Sequence, residues 1–212
     1  MNASKLAFLV AGAILVSLSG VGSAAPTLYM DAGSFIAGNS VVLLEDFEAV
    51  FPKDTALPSF TSNGVTYTGV QAGNPNVLVA APGYTNFGVP ITTSSVLTSN
   101  ANEEFTMDLS TDPLPVVGFD VYLNGDGVTT RWYGSGDHLL VTVNDSRPAG
   151  QYFLGFAMDE PIYSVRWTAV GGQNVNTGID NVYAGTIPAP GAILVSAIGT
   201  GLVGWLRRRK ML

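Results

Sequence analysis

The sequence predicts an all-β fold, a single jelly-roll-like β-sandwich spanning residues 25–186. Short apolar runs alternate with polar residues at the two-residue period of strands. Turn signals rich in Gly, Pro, Asn and Asp separate these runs about every 8 to 12 residues, and helical periodicity never lasts beyond a turn or so. The chain has 25 glycines and no cysteine. We therefore expect one core held together by packing and not by disulfides.

The first part of this region contains three predicted strands and one long loop. Residues 31–40 form a lead-in with at most one short edge strand. The strands cover 41–47, 65–70 and 76–80, each next to Pro, Asn or Gly residues. Residues 81–102 are predicted to form a loop, and loops of this length usually carry function or wrap the edge of a domain.

The second part predicts a continuous run of antiparallel strands. Alternation is clearest where Phe105, Met107 and Leu109 share one face and polar residues share the other. The turn 124–127, with the sequence Asn-Gly-Asp-Gly, is expected to join two of these strands as a hairpin. The predicted strands are 105–109, 117–123, 129–133, 138–143, 152–157, 162–169 and 179–183.

The N-terminus resembles a secretory signal peptide. Lys5 precedes an uncharged stretch from Leu6 to Leu18, and Gly22 and Ala24 are the small residues of a cleavage site. We expect residues 1–24 to be removed by signal peptidase after passage through the Sec-type export machinery. An uncleaved N-terminal anchor is the alternative, which the short apolar stretch disfavours.

The C-terminus combines an uncharged stretch, residues 191–206, with the basic cluster Arg207, Arg208, Arg209 and Lys210. Sixteen helical residues span about 24 Å, and Trp205 and the arginines at the interface extend that reach. Guanidinium groups resist transfer into hydrocarbon, so the cluster acts as a stop-transfer signal. The sequence predicts a transmembrane helix that anchors the domain outside the cytoplasm.

The residues before that helix, Ile187, Pro188, Ala189 and Pro190, complete a tripartite pattern. With the apolar stretch and the basic cluster, residues 187–212 resemble the PEP-CTERM sorting signal of Gram-negative bacteria. The resemblance implies retention in the inner membrane and cleavage by an exosortase-like sorting protease. Delivery to the cell surface or to an extracellular polysaccharide matrix would follow. Ala189 stands where the family motif has glutamate, so anchoring follows from the residues themselves, whereas cleavage rests on resemblance.

The region between the termini is strongly acidic. All sixteen acidic residues of the chain lie between Asp31 and Asp180, together with only four basic residues, giving this region a net charge of −12. Such a surface repels nucleic acid and anionic lipid and attracts cations. We therefore expect no nucleic-acid partner.

Acidic groups near the first and last predicted strands suggest a structural Ca²⁺. The first and last strands of jelly-roll and galactose-binding-like sandwiches often lie close together, and hard oxygen ligands suit Ca²⁺. A cluster of strand-end carboxylates facing water is the alternative. The candidate ligands are Glu45, Asp46, Glu48, Asp180 and Asn181.

Four aromatic residues are candidates for stacking against a sugar ring. Tyr84 and Phe87 belong to the long predicted loop, and Trp132 and Tyr133 precede Gly134. Plain packing in the core is the alternative for each.

These features predict a non-catalytic exported sandwich with an extracellular-matrix, adhesive or carbohydrate-binding role. The alternative is a secreted glycan-active hydrolase using a carboxylate pair. Glu103 and Glu104 are adjacent on a strand and point to opposite faces, so they cannot form that pair. His138, the one histidine of the chain, lies beside no nucleophile elbow.

Overall fold

The computed structural model describes residues 25–50, 52–70, 76–84, 93–99, 103–170 and 177–188. Within these residues the chain forms two antiparallel sheets, one α-helix and one short 3-10 helix, Ser135–Asp137. The elements are β1 (Thr27–Tyr29), α1 (Ala32–Gly38), β2 (Ser40–Glu45), β3 (Ser59–Ser62), β4 (Val65–Gly69), β5 (Val77–Ala80), β6 (Val96–Ser99), β7 (Glu104–Asp108), β8 (Leu114–Leu123), β9 (Val128–Tyr133), β10 (Leu139–Asp145), β11 (Gly150–Ile162), β12 (Ser164–Ala169) and β13 (Gly178–Thr186). The predicted all-β sandwich is confirmed.

The two sheets contain seven and six strands. The seven-stranded sheet has the order β1-β11-β8-β13-β6-β5, with β2 paired to β13 beside β6. The six-stranded sheet has the order β10-β9-β12-β7-β4-β3. Strands pair in nested fashion, β9 with β10, β8 with β11, β7 with β12 and β6 with β13. This nested pairing is the one that a jelly-roll connection requires.

The core lies between the sheets and is rich in aromatic rings. Alternate residues of each strand face inward, as the two-residue period dictates. Trp132 stacks on Phe119 with a centroid distance of 5.5 Å, and Trp167 stacks on Phe105 at 5.7 Å. The contact between Trp132 and Phe119 joins the sheets, because Phe119 belongs to β8 in one sheet and Trp132 to β9 in the other, whereas Phe105 and Trp167 lie on neighbouring strands of the same sheet.

Helix α1 lies on the outer face of the seven-stranded sheet, where the sequence predicts only a lead-in. Asp31 caps it by accepting a hydrogen bond from the Ser34 amide at 2.6 Å. Phe35 is completely buried, and a Cβ at Gly118 or Gly155 would lie within about 3 Å of its ring. The two glycines in the sheet therefore make the space that Phe35 fills.

Two further predictions are wrong. Strands 117–123 and 129–133 do not form a hairpin, because β8 and β9 belong to different sheets and the turn between them carries the chain across the sandwich. The predicted loop 81–102 contains strand β6, all four residues of which are buried. Strand β3 has no counterpart among the predicted strands.

Candidate functional site

The outer face of the six-stranded sheet carries a polar groove. Two adjoining depressions of about 300 Å³ each share Thr106, Asp137 and Ser164 as lining residues. We define the polar groove by six residues with side chains that line it: Thr106, Asp108, Tyr133, Asp137, Ser164 and Arg166.

Strand register brings these side chains together. Ser164 on β12 is paired with Tyr133 on β9 and with Asp108 on β7, so the three form one row across the sheet. Arg166 is paired with Thr106 in the next row of the same face. The intervening residues of each strand point into the core. The pleat of three adjacent strands therefore sets the composition of the groove.

The turn after β9 forms one end of the groove. Asp137 has a φ of +60°, in the left-handed region that few side chains other than those of Asp and Asn adopt. The Gly134 amide donates to the His138 carbonyl at 2.8 Å and closes the turn. A Cβ at Gly134 would collide with the carboxylate of Glu160, which lies 3.7 Å from His138 Nδ1. Glycine at 134 lets Glu160 lie against the turn.

Hydrogen bonds fix two charged groups in or beside the groove. Arg166 donates through Nε to Glu104 Oε1 at 2.8 Å and through Nη2 to the same oxygen. The Ser110 amide donates to Asp108 Oδ1 at 2.7 Å. The six residues thus combine the Tyr133 ring, hydroxyl groups, carboxylates and a guanidinium, and Ser110 and Tyr163 also line the first depression. Such a set can bind hydroxyl groups and an apolar ring face at the same time.

Of the four predicted aromatic residues, the structure places only Tyr133 in this groove. Trp132 is fully buried and packs against Phe119 and Phe156, so its prediction as a surface ligand-binding residue is wrong. Tyr84 lies on the other sheet, half-buried against a cluster of Ala80, Val96 and Tyr122. Phe87 lies outside the described residues. The four residues therefore do not form one platform.

Each of the five predicted calcium ligands makes hydrogen bonds within the protein. Glu45 accepts from the Phe47 amide at 2.7 Å and from Asn63 Nδ2 at 3.1 Å. Asp46 accepts from the Glu48 amide at 3.0 Å. Glu48 accepts from Ser95 and pairs with Lys53 Nζ at 3.1 Å; burial acts to raise the Glu48 pKa, but these bonds hold it below its ordinary value.

Asp180 and Asn181 lie where β13 bulges beside β8. Asp180 accepts from Ser94 Oγ at 2.5 Å, and Asn181 Nδ2 donates to Asp120 at 2.8 Å and to Asp180 at 3.2 Å. Burial raises the Asp180 pKa to about 6, with Asp120 and Glu48 adding repulsion. In the part of the chain that the structure describes, no group of three or more His, Cys, Asp or Glu residues could hold a metal ion. Calcium binding stays a prediction.

Burial strongly perturbs the carboxyl group of Glu103. It is 2% exposed, and burial raises its pKa to about 8 despite hydrogen bonds from the amide and hydroxyl of Thr177. Thr177 also accepts from Trp167 Nε1 at 3.0 Å, which ties the acid to the core. Glu104, its neighbour, faces outward to Arg166, as alternation predicts.

Sequence reasoning missed most of the groove. The outward positions of β7 and β12 were readable from alternation, but nothing local indicated that these two strands would pair. Alternation puts Glu103 on the same face as Phe105 and Met107, but its burial was not predicted, since a charged residue before a strand normally faces water. Asp108, Asp137, Ser164 and Arg166 were not among the predicted site residues.

The predicted sorting segment is described only at its first two residues. Ile187 is 40% exposed and follows the end of β13, with Pro188 after it. The signal peptide 1–24, Ala189, Pro190, the helix 191–206 and the cluster Arg207–Lys210 all lie outside the described residues. Among the residues that are described, no helix is both long and apolar enough to cross a membrane.

No protein-family model matches this chain, and no curated protein matches it. Among solved structures, a mutant of a family 29 carbohydrate binding module complexed with cellulohexaose aligns with 70% of this chain and 93% of that one, at 13% identity and a TM-score of 0.36. The K2 cleaved adhesin domain of Lys-gingipain aligns with 68% of this chain and 99% of that one, at 10% identity and a TM-score of 0.46. Both likenesses are distant, and neither assigns a ligand to this chain.

Proposed function

We propose that this chain is a non-catalytic carbohydrate-binding protein that holds a glycan in the polar groove. One observation carries the proposal: the half-buried Tyr133, the hydroxyl groups of Thr106 and Ser164, and charged groups of both signs line one open groove on the outer face of the six-stranded sheet. Sugars present hydroxyl groups around a ring with apolar faces. The groove offers a partner for each of these parts.

The physical basis is hydrogen bonding combined with contact against an aromatic ring. Carboxylates accept from sugar hydroxyls, guanidinium donates to ring and hydroxyl oxygens, and Thr or Ser does either. Tyr133 offers a planar face at low cost in conformational entropy. Because the groove is open and lies on a rigid sheet, an extended chain of sugars could pass across it without closure of a lid.

The sequence adds a location to this proposal. A signal peptide at 1–24 and an anchor at 191–206 would place the sandwich outside the cytoplasm, tethered to the inner membrane. Resemblance to the PEP-CTERM signal adds release by an exosortase-like protease and delivery to an extracellular polysaccharide. A protein delivered to an extracellular polysaccharide would meet glycans there, which is consistent with a glycan-binding groove.

A glycan array with the purified full chain tests the proposal. We expect binding to one or more polysaccharides and at least a tenfold loss with Tyr133→Ala. Tyr84→Ala is the matched control, since it removes another half-buried tyrosine, from the opposite sheet. Binding that survives Tyr133→Ala but is lost with Tyr84→Ala would move the site to the other face, and the absence of any glycan binding would reject the function.

A glycan-active hydrolase is the second candidate, favoured by the presence of both Asp108 and Asp137 in the groove. Hydrolysis by inversion or retention uses two carboxylates on either side of the scissile bond. Product analysis with each bound glycan distinguishes the two functions. Cleavage that is abolished by Asp108→Asn and by Asp137→Asn would establish the enzyme, and intact glycan after prolonged incubation would support binding alone.

A further inference from the structure

Two arginines lie side by side on the face that carries the polar groove. Arg131 on β9 is directly paired with Arg166 on β12, and both point outward because Trp132 and Val165 beside them point into the core. Side chains directly opposite each other in a sheet have Cβ atoms about 5 Å apart, and like charges in such pairs are unfavourable. The region from 25 to 186 has only four basic residues. Half of them are in this one pair.

Of the two arginines, only Arg166 is paired with an acidic side chain in the described part of the chain. Arg166 is bound by Glu104 through two nitrogen atoms. The Arg131 side chain makes no hydrogen bond or ion pair with any described residue, although it is half-buried. A guanidinium carries five N–H donors and is always charged. Arg131 is therefore a positive group ready to receive an anion.

Arg131 is within reach of a ligand in the groove. Tyr133 is two residues further along β9 on the same face, about 7 Å away at the usual rise of a strand. Arg166, its cross-strand neighbour, already lines the groove. A sugar stacked on Tyr133 would extend its substituents over Arg131.

We propose that the polar groove selects acidic polysaccharides, with Arg131 binding the carboxylate of a uronic acid. This inference rests on the glycan-binding function proposed above. A neutral glycan would leave Arg131 without a counter-charge, whereas a small inorganic anion would meet the carboxylates of Asp108 and Asp137. A uronic acid can bind both the guanidinium and the aspartates. Its hydroxyl groups donate to the aspartates, while its carboxylate pairs with the guanidinium in bidentate geometry.

Calorimetric titration of the full chain with a galacturonic acid hexasaccharide, and with its carboxyl-reduced neutral counterpart, tests the inference. The acidic region as a whole repels a polyanion over a distance, so we expect the acidic oligosaccharide to bind at least tenfold more tightly at physiological salt, where this long-range repulsion is screened and the direct contact between guanidinium and carboxylate remains. Arg131→Gln should abolish the preference for the acidic oligosaccharide. Arg131→Lys should restore part of it, because charge is kept and the planar fork is lost.

Thr55→Glu is the control for overall charge, because it lowers the net charge by the same amount at an exposed loop position. It should keep the acidic preference. Equal affinity for the two oligosaccharides, or a preference unchanged in Arg131→Gln, would overturn the role of Arg131 even if glycan binding through Tyr133 stands. Failure of the array to detect any glycan would reject both proposals together.

Discussion

Trp132 and Tyr133, adjacent on β9, point to opposite faces of the sheet, and their substitution should affect stability to different extents. Trp132 is fully buried, whereas Tyr133 lies on the outer face in the groove. We expect Trp132→Ala to lower the free energy of unfolding by about 3 to 5 kcal/mol, since it removes a large core side chain. Tyr133→Ala should cost at most about 1 kcal/mol. Urea unfolding of both variants measures the difference, and equal losses would mean that Tyr133 also belongs to the core.

The buried acid Glu103 makes stability depend on pH. Its pKa is about 8 in the folded chain, against an ordinary value of 4.5. Between these values the folded protein holds a proton that the unfolded chain has lost. The contribution to stability is therefore fully present below pH 4.5 and falls as pH rises towards 8, at up to about 1.4 kcal/mol per pH unit.

Glu103→Gln should remove this part of the pH dependence. Glutamine is neutral at every pH and can accept the same hydrogen bonds from Thr177. We expect the variant to equal the wild type near pH 4 and to exceed it in unfolding free energy at pH 8, as measured by urea midpoints. Glu104→Gln, which changes the half-buried neighbour on the outer face, is the control. Parallel pH profiles for wild type and Glu103→Gln would show that the buried acid does not titrate in this range.

At the scale of elements, β2 is joined to the sheet through β13 in a close backbone contact. Gly185 is paired with Val41, and a Cβ at this glycine would collide with the Ser40 carbonyl oxygen. Gly185→Ala should therefore push β2 outward and cost about 1 to 3 kcal/mol. Faster hydrogen exchange at the amides of 41–43 would report the detachment.

Gly33→Ala is the matched control for this prediction. Its Cβ would approach only the flexible carboxylate of Asp31, at 3.3 Å, and alanine favours the helix. We expect little change or a small gain in stability. If Gly185→Ala proved as mild as Gly33→Ala, β2 would have room to shift without breaking its pairing.

The pairing of β2 with β13 also places the two groups of predicted calcium ligands on or next to neighbouring strands. Glu45 ends β2, Asp46 and Glu48 follow it, and Asp180 lies on β13, the strand paired with β2. If Ca²⁺ binds there, excess Ca²⁺ should raise the melting temperature, a chelator should lower it, and Asp180→Asn should remove the response. A melting temperature that changes with neither excess Ca²⁺ nor chelator would contradict the prediction of a calcium site.

At the scale of the whole molecule, the termini set the predicted location. Replacing Arg207 to Lys210 with glutamines should release the chain from the membrane fraction, because the stop-transfer charge is gone. Fractionation after expression with the native signal peptide measures this. Replacing Lys53, a single cation within the sandwich, serves as the control. Retention at the wild-type level after neutralising the cluster would contradict the stop-transfer reading.

The face of a strand on which a residue lies could be predicted from the sequence more often than the strand with which it pairs. Alternation placed Phe105 and Met107 in the core and Glu104 on the surface. The prediction for Trp132 rested on its place before Gly134 and not on alternation, which puts Trp132 and Tyr133 on opposite faces of β9, so only one of the two could face a ligand. Strand β6 was missed because it is short, buried and surrounded by loop-forming residues.

The sequence by itself determined the all-β class, the acidic charge between the termini and the alternation of strand faces. These are local or additive properties, which the order and composition of residues fix directly. Only the tertiary structure decided that β7, β9 and β12 are neighbours, and hence that Arg131, Arg166, Tyr133 and Asp108 share one face. Strand pairing depends on how the whole chain closes around one core, so residues about 60 positions apart come together without any local signal.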